Sequence, residues 1–535
     1  MPFENDSTIS LTESRVENPG RTVGTQVEAW RATFTDPQAS VAHLLCDRHD
    51  PRSIAFSFIE SDLTYRDVTH GELTEDSRRF ATALSDRGVG PGDSVAVLMG
   101  KRYELIISLL AIWRVGAVHV PLFTAFATPA IKMRVESSGA KLIITEPSQQ
   151  DKVLPLTADT DLAALIAGPE MDHLMTTSEP FEDAAAVGGD GAMIRLFTSG
   201  TTGKPKAVPV PVRALAAITS YMHYGLDVKD SDVFWNSADP GWAYGLYYGI
   251  VGPLVTGRRN LLLNAGFTPQ STAAVMKKFG VTNFASAPTV YRSLSKKSEA
   301  LDGITLRRAS SAGEPLTSDI VTWSVGALGV EVRDHYGQTE HGMVIGNAWH
   351  EDVACPTRTG SMGKALPGFA AGVVDNSIAL NTQDSPLMWF TGYVDAPAKT
   401  AERFTPARDW YLTGDSGRMD DDGYLYFSAR DDDVILMAGY RIGPVDVESV
   451  LITHPAVVEV AVVGRPDELR GELLEAFVVL DEGSTGTPEL EIELQERVRK
   501  GYSAHAYPRR VHFVDDLPKT PSGKIQRYLL RQVHN

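Results

Sequence analysis

The chain has 535 residues, 43% of them hydrophobic and 22% charged. That is enough apolar material for about two to four packed units and excludes a disordered polymer. Lys+Arg number 50 and Asp+Glu 68, a formal net charge of −18, which excludes a sequence-independent binder of the nucleic-acid backbone. Two cysteines, Cys46 and Cys355, exclude a disulfide framework and a cysteine-ligated zinc site, and suit a reducing compartment.

The N-terminal string MPFENDSTIS carries early acids and no apolar stretch, so it does not read as a signal peptide. Residues 1–40 are polar and are expected to form a loosely held arm. The longest apolar run, Leu105–Trp113, falls short of the roughly 20 residues that span a bilayer, so no integral membrane contact is expected and the location is read as cytoplasmic. In chain order, Leu73–Arg87 is predicted as an amphipathic helix ended by Gly88. Ser94–Leu98 is a strand, Tyr103–Val115 a helix, and Ala140–Thr145 a strand. This alternation predicts an α/β fold. Residues 150–190 are acidic with weak periodicity. A second α/β region runs from Met193 to about 330, followed by strand-rich sequence to about 430. The charge run Arg430–Asp433 marks a boundary, giving a large domain over 41–431 and a smaller α+β domain over 432–535. In the latter, Pro444 opens a helix, Val457–Val463 and Ala476–Leu480 are strands, and Leu490–Lys500 is a helix.

After the apolar strand Met193–Phe197 comes Thr198-Ser199-Gly200-Thr201-Thr202-Gly203-Lys204-Pro205-Lys206. Its glycines allow close backbone approach. Its hydroxyls and its two lysines, Lys204 and Lys206, suit a polyphosphate. The spacing is not that of a Walker A loop: two residues separate the glycines and Pro205 follows the lysine. Further on, Asp415 follows Gly414 at the end of an apolar strand, where a carboxylate can accept both hydroxyls of a ribose, unless it only closes an Asx turn. Glu340 beside Thr339 suits Mg²⁺, unless it only faces a helix start.

Taken together, these strings resemble the adenylate-forming superfamily of acyl-CoA synthetases, peptide-synthetase adenylation domains and luciferase-like enzymes. TSGTTGKPK is similar to its phosphate loop. Ser311-Ala312-Gly313-Glu314-Pro315 is similar to its adenine-site strand end. Asp334-His335-Tyr336-Gly337-Gln338-Thr339-Glu340 is similar to its Y-G-x-T-E motif. Tyr411–Asp415 resembles its ribose segment, Arg430–Arg441 its hinge, and Pro518–Lys524 its catalytic-lysine loop. The likeness spans about residues 50–530.

The resemblance implies ATP, Mg²⁺ and coenzyme A as cofactors and a small carboxylic acid as substrate. It implies that Thr339 touches phosphate, that Glu340 serves the magnesium, and that Lys524 bridges the acyl carboxylate and the α-phosphate. Asp432 becomes the hinge, Arg430 a ribose contact, and Arg441 a support of the thioester-forming conformation. Ala438, Gly439 and Tyr440 border the pantetheine arm, and Arg470 lies near the CoA phosphates. Ala238–Tyr244 with Gly252-Pro253-Leu254 resembles the acetyl- and medium-chain acyl-CoA synthetase branches. There Trp242 and Tyr244 are expected to line the acyl or pantetheine channel, and Gly337 to stand where acetate-specific members carry Trp. An open pocket for a short-to-medium-chain or small aryl acid follows, unless Gly337 only satisfies a tight turn. Two features depart from the pattern. Val208–Val212 replaces a Ser-His-like pair, and Ala429 replaces a glycine.

Three alternatives compete: an adenylating enzyme loading a carrier-protein phosphopantetheine, a nucleotide binder that has lost catalysis, and a serine hydrolase built on Ser416 in Gly414-Asp415-Ser416-Gly417.

Overall fold

The computed structural model describes residues 22–158, 160–198, 206–430, 433–437, 440–467, 471–502, 506–519 and 525–532, with backbone alone at Tyr440, Arg441 and Gly471. The α/β expectation holds. A six-stranded sheet places Ser94–Leu98 at its centre, parallel to Val118–Leu122 and Ala140–Thr145. Its far edge is the antiparallel pair Ala192–Thr198 and Lys206–Pro211. A nine-stranded sheet carries Phe234–Asn236, Asn283–Ser286, Arg308–Ala312 and Val332–Gln338 as parallel neighbours. It then turns antiparallel into Gly342–Gly346. Strands buried on both faces read as continuous apolar runs, and Ser94–Leu98 and Val118–Leu122 are buried throughout.

The helices follow from local chemistry. His70–Ser85 starts at a capping box in which Thr69 and Glu72 satisfy each other's backbone N–H groups. Tyr103–Arg114 is buried from Leu105 onward, so it lies inside the core instead of covering it. At its end Arg114 forms a bidentate pair with Asp47, at 2.8 and 2.7 Å.

The arm expectation fails for its second half. Val23–Phe34 is a helix capped by Thr22, and Val27, Trp30 and Phe34 are buried in the main core. Three apolar residues at helical spacing outweigh a polar average. The acidic stretch after 150 also folds, as helices Gln150–Thr157 and Pro169–Thr177 flanking strand Ala163–Ile166.

A four-stranded antiparallel sheet includes Trp410–Met419 and Leu425–Arg430. Beyond it, Ile435–Met437, Tyr440–Ile442, Val457–Asp467, Gly471–Leu480 and Arg510–Phe513 form a separate five-stranded sheet. Helices Pro444–Leu451 and Pro488–Gly501 pack on it around a core of their own. Among the described residues no helix is long and apolar enough to cross a membrane.

Candidate active site

The parallel strands of the nine-stranded sheet end at one rim, the place where open α/β sheets bind ligands. Ser311 and Asp334 are register neighbours there. Ser311 Oγ, Glu314 Oε1, Thr317 Oγ1 and Asp334 Oδ1 are buried without a hydrogen-bond partner. Such orphans cost stability unless a ligand pairs them. Burial pushes the Asp334 carboxyl up to about 8, against the backbone N–H groups of Leu316 and His335, which favour its anion. Gly313 adopts φ +102°, which lets the strand end turn away. Glu314 is held by Arg292 at 2.7 Å, and Pro315 is exposed.

The next strand, Val332–Gln338, turns through Thr339 and Glu340 into Gly342–Gly346. Asp415 approaches it from Trp410–Met419. Its Oδ2 accepts from the Tyr336 hydroxyl at 2.5 Å and from Gln338 Nε2 at 2.7 Å. Gln338 Nε2 also donates to the Thr413 carbonyl at 3.0 Å, and the Tyr411 hydroxyl donates to Gln338 Oε1 at 3.1 Å. Burial raises the Asp415 carboxyl, while Arg430, Tyr336 and Gln338 pull it back toward the anion. Both hydrogen bonds fall on Oδ2, so Oδ1 has no protein donor among the described residues. Asp415 lies inside its strand, not at the end as expected from sequence. Gly414, at φ +72°, supplies the local bend that a strand end would have given.

Glu340 is buried, and its Oε1 accepts from the Tyr393 hydroxyl at 2.7 Å. No helix starts here, so the helix-dipole alternative falls. Among the described residues no three His, Cys, Asp or Glu side chains gather into a metal-holding group. One carboxylate beside phosphates and water is the donor set Mg²⁺ takes, so Glu340 fits the expected metal. Thr339 is half-buried, and its carbonyl accepts from Tyr247 at 3.0 Å. Thr198 and Lys206 pair across the antiparallel strands on either side of residues 199–205.

Two of the expected site residues also have structural roles. His335 was expected among the nucleotide contacts. It is buried, with Nδ1 against the Tyr221 hydroxyl at 2.7 Å and Nε2 against the Asn347 carbonyl at 3.3 Å, so both ring nitrogens are used by the protein. Gly337 was expected to open the acyl pocket. A Cβ there would collide with the Gly342 carbonyl and stand 2.7 Å from Met343 Cα. The glycine is required because two backbones of one hairpin approach closely at a bulge. Replacing it by Trp would therefore test the hairpin before it tested the pocket.

Trp242 packs on Phe123 and Phe126, with ring centroids at 5.1 and 5.9 Å. Tyr244 meets Tyr221 hydroxyl to hydroxyl at 3.3 Å, and Tyr248 accepts from the Met343 N–H at 2.7 Å. Lys101 ties this wall to the other sheet by donating to the Ser237 carbonyl at 2.7 Å. Sequence reading missed Lys101, Tyr393 and Arg403. Each comes from a loop or strand with no motif around it. Ser199, Gly200, Thr201, Thr202, Gly203, Lys204, Asp432, Ala438, Gly439, Arg470 and Lys524 lie outside the described residues, as do the side chains of Tyr440 and Arg441. Ser416 is buried in a paired strand between Ser377 and Ala429, which removes the exposed nucleophile a serine hydrolase needs.

Fold and site together give an α/β sheet rim with unpaired buried polar atoms and two clamped carboxylates, Asp415 and Glu340. The sequence matches the family model of AMP-binding enzymes over residues 46–381 and that of their C-terminal domain over 446–524. The chain belongs to the AMP-binding enzyme family. It is 34% identical over 527 residues to the acetyl-coenzyme A synthetase of Bacillus subtilis (strain 168), covering 92% of this chain and 90% of that protein. It is 35% identical over 486 residues to the mitochondrial acyl-coenzyme A synthetase ACSM3 of Mus musculus, covering 85% and 82%. The crystal structure of the Brucella canis acyl-CoA synthetase superposes with a TM-score of 0.74 at 39% identity, covering 97% of this chain and 98% of that one.

Proposed function

We infer that this protein is an AMP-forming acid–thiol ligase acting on a short-to-medium-chain or small aryl carboxylic acid, with free CoA as acceptor. A carboxylate oxygen of the acid attacks the α-phosphorus of ATP and pyrophosphate leaves. The CoA thiol then attacks the acyl carbon of the acyl adenylate and AMP departs with the electron pair of the broken bond. Splitting the reaction this way replaces one poor leaving group by a good one.

The observation that carries this reading is one hairpin that carries Glu340 and grips a second carboxylate, Asp415, from the neighbouring sheet. Asp415 is clamped by Tyr336 and Gln338 where a ribose would lie, and Glu340 sits two residues past Gln338, clamped by Tyr393. The first carboxylate orients the sugar. The second holds Mg²⁺, which when bound neutralises phosphate charge. Lys206 and the hydroxyls of residues 198–202 hold the polyphosphate. Lys524 is proposed to meet the charge developing between acid and α-phosphate. Asp432 is proposed as the pivot that exchanges the Lys524 face for the Gly439 face, with the boundary between the units at 431/432. Arg430 belongs to the ribose, and Arg441 and Arg470 to the CoA-bound state.

For the acid, the tyrosine wall supports an apolar pocket, because the hydroxyls of Tyr221, Tyr244, Tyr247 and Tyr248 are engaged within the protein. The naming of one relative for acetyl-CoA agrees with a small acid. A cytoplasmic location is proposed on the reducing-compartment cysteine usage. The test is a panel of carboxylic acids with ATP and CoA, read by thioester mass and by acid-dependent exchange of labelled pyrophosphate into ATP. Exchange without any acid, or no thioester from any acid, overturns the proposal.

A further inference from the structure

Arg403 lies two residues beyond the short helix Pro397–Ala401 and belongs to none of the sequence motifs. Its Nε donates to the Tyr393 hydroxyl at 3.3 Å and its Nη1 to the Thr413 carbonyl at 2.8 Å. Both partners are neutral, and among the described residues no carboxylate reaches the guanidinium within ion-pair distance. Its nearest link to an anion runs through the Tyr393 hydroxyl to Glu340, at 2.7 Å. Lys206 stands over the same ring, with Nζ 4.9 Å from the Tyr393 centroid, also without an ion-pair partner among the described residues. Lys399 adds a third cation nearby, compensated by Glu402 at 3.0 Å. The crowding registers on Lys206. Burial first, then the charges of Arg403 and Lys399, push its ammonium below the usual range against the pull of Glu340 and Glu402. Two part-buried cations therefore share one tyrosine and one carboxylate, an excess of positive charge that an anionic ligand would balance.

We propose that Arg403 binds the pyrophosphate group of the first half-reaction, completing with Lys206 a cationic clamp around Tyr393. This rests on the adenylation reading above. The guanidinium fork matches phosphate oxygens in geometry, and charge grows on the departing pyrophosphate as its bond to the α-phosphorus breaks. The site is built for the arginine. A Cβ on Gly414 would collide with Arg403 Nη1, so the glycine beside Asp415 gives the guanidinium its room.

The test compares Arg403→Gln and Arg403→Lys with the unaltered chain in acid-dependent pyrophosphate exchange, and in CoA-driven AMP release from preformed acyl adenylate. Arg403→Gln is expected to raise the KM for pyrophosphate about tenfold or more, and Arg403→Lys to recover part of it. AMP release and Tm should stay near those of the unaltered chain. An unchanged KM for pyrophosphate in both variants overturns the proposal. So does a parallel loss in both half-reactions and in Tm, which is what an arginine merely bracing Tyr393 and Thr413 would give. Absence of exchange in the unaltered chain overturns the adenylation reading itself, and is told apart by that control.

Discussion

The strand-end rim and the neighbouring buried tyrosine cluster are built on opposite logic. At the rim, Ser311, Glu314, Thr317 and Asp334 keep buried polar atoms unpaired, and Asp415 takes both its donors on one oxygen. At the wall, four tyrosines spend their hydroxyls on one another, on His335 and on backbone. Unpaired polar atoms are a standing penalty that a ligand can relieve, so they mark where specific recognition occurs. Satisfied ones make a tightly packed cluster that responds to changes in volume. The contrast teaches that the rim should be sensitive to single-atom changes and the wall to volume.

The sharpest break comes at Glu340, the carboxylate proposed to hold the metal. Glu340→Gln keeps the shape and one acceptor but removes the charge. Acid-dependent pyrophosphate exchange is expected to fall by about 10²–10³-fold. A loss of less than tenfold would remove Glu340 from the rim's chemistry. Asp415→Ala is next. Losing a charged acceptor is worth about 1.5–3 kcal/mol, so the KM for ATP should rise roughly 10- to 100-fold while the KM for the acid stays put. If the acid's KM moved with it, the separation of rim from wall would be wrong.

The wall is probed by volume. Tyr244→Ala is expected to shift preference toward longer acids by about fourfold in kcat/KM per added methylene, from about 0.8 kcal/mol of burial each. Unchanged ratios across a homologous series would place the acyl chain elsewhere. The smallest effect is on stability. The Asp334 carboxyl is raised from 3.8 to about 8 by burial, so the folded chain favours its neutral form. That contribution is fully present below 3.8 and is lost as the pH rises through about 8. Asp334→Asn should raise the Tm of the large domain's transition by about 2–6 °C at pH 8 and leave it unchanged near pH 4. A pH-independent difference would mean that Asp334 ionises freely.

Much of this was legible before the structure. The strands Ser94–Leu98 and Ala140–Thr145 fall where the apolar pattern put them, because buried parallel strands are continuous apolar runs bounded by turns. Asp415 lies 79 and 77 residues from Tyr336 and Gln338 in sequence yet meets them in space, and only motif likeness linked them. The helix Val23–Phe34 was missed because averaging over a polar stretch hid three apolar residues on one face.

What the chain determined by itself was local and periodic: its α/β class, most strand and helix positions, and the short strings whose residue types suit phosphate, ribose and metal. Tertiary structure alone decided which of those residues keep a free valence. His335 lost both nitrogens to Tyr221 and Asn347, Gly337 proved to be a backbone crossing, and Arg403 arrived from an unmarked loop. The physical reason is that hydrogen-bond partners and close approaches are set by neighbours distant in sequence, and no local pattern encodes them.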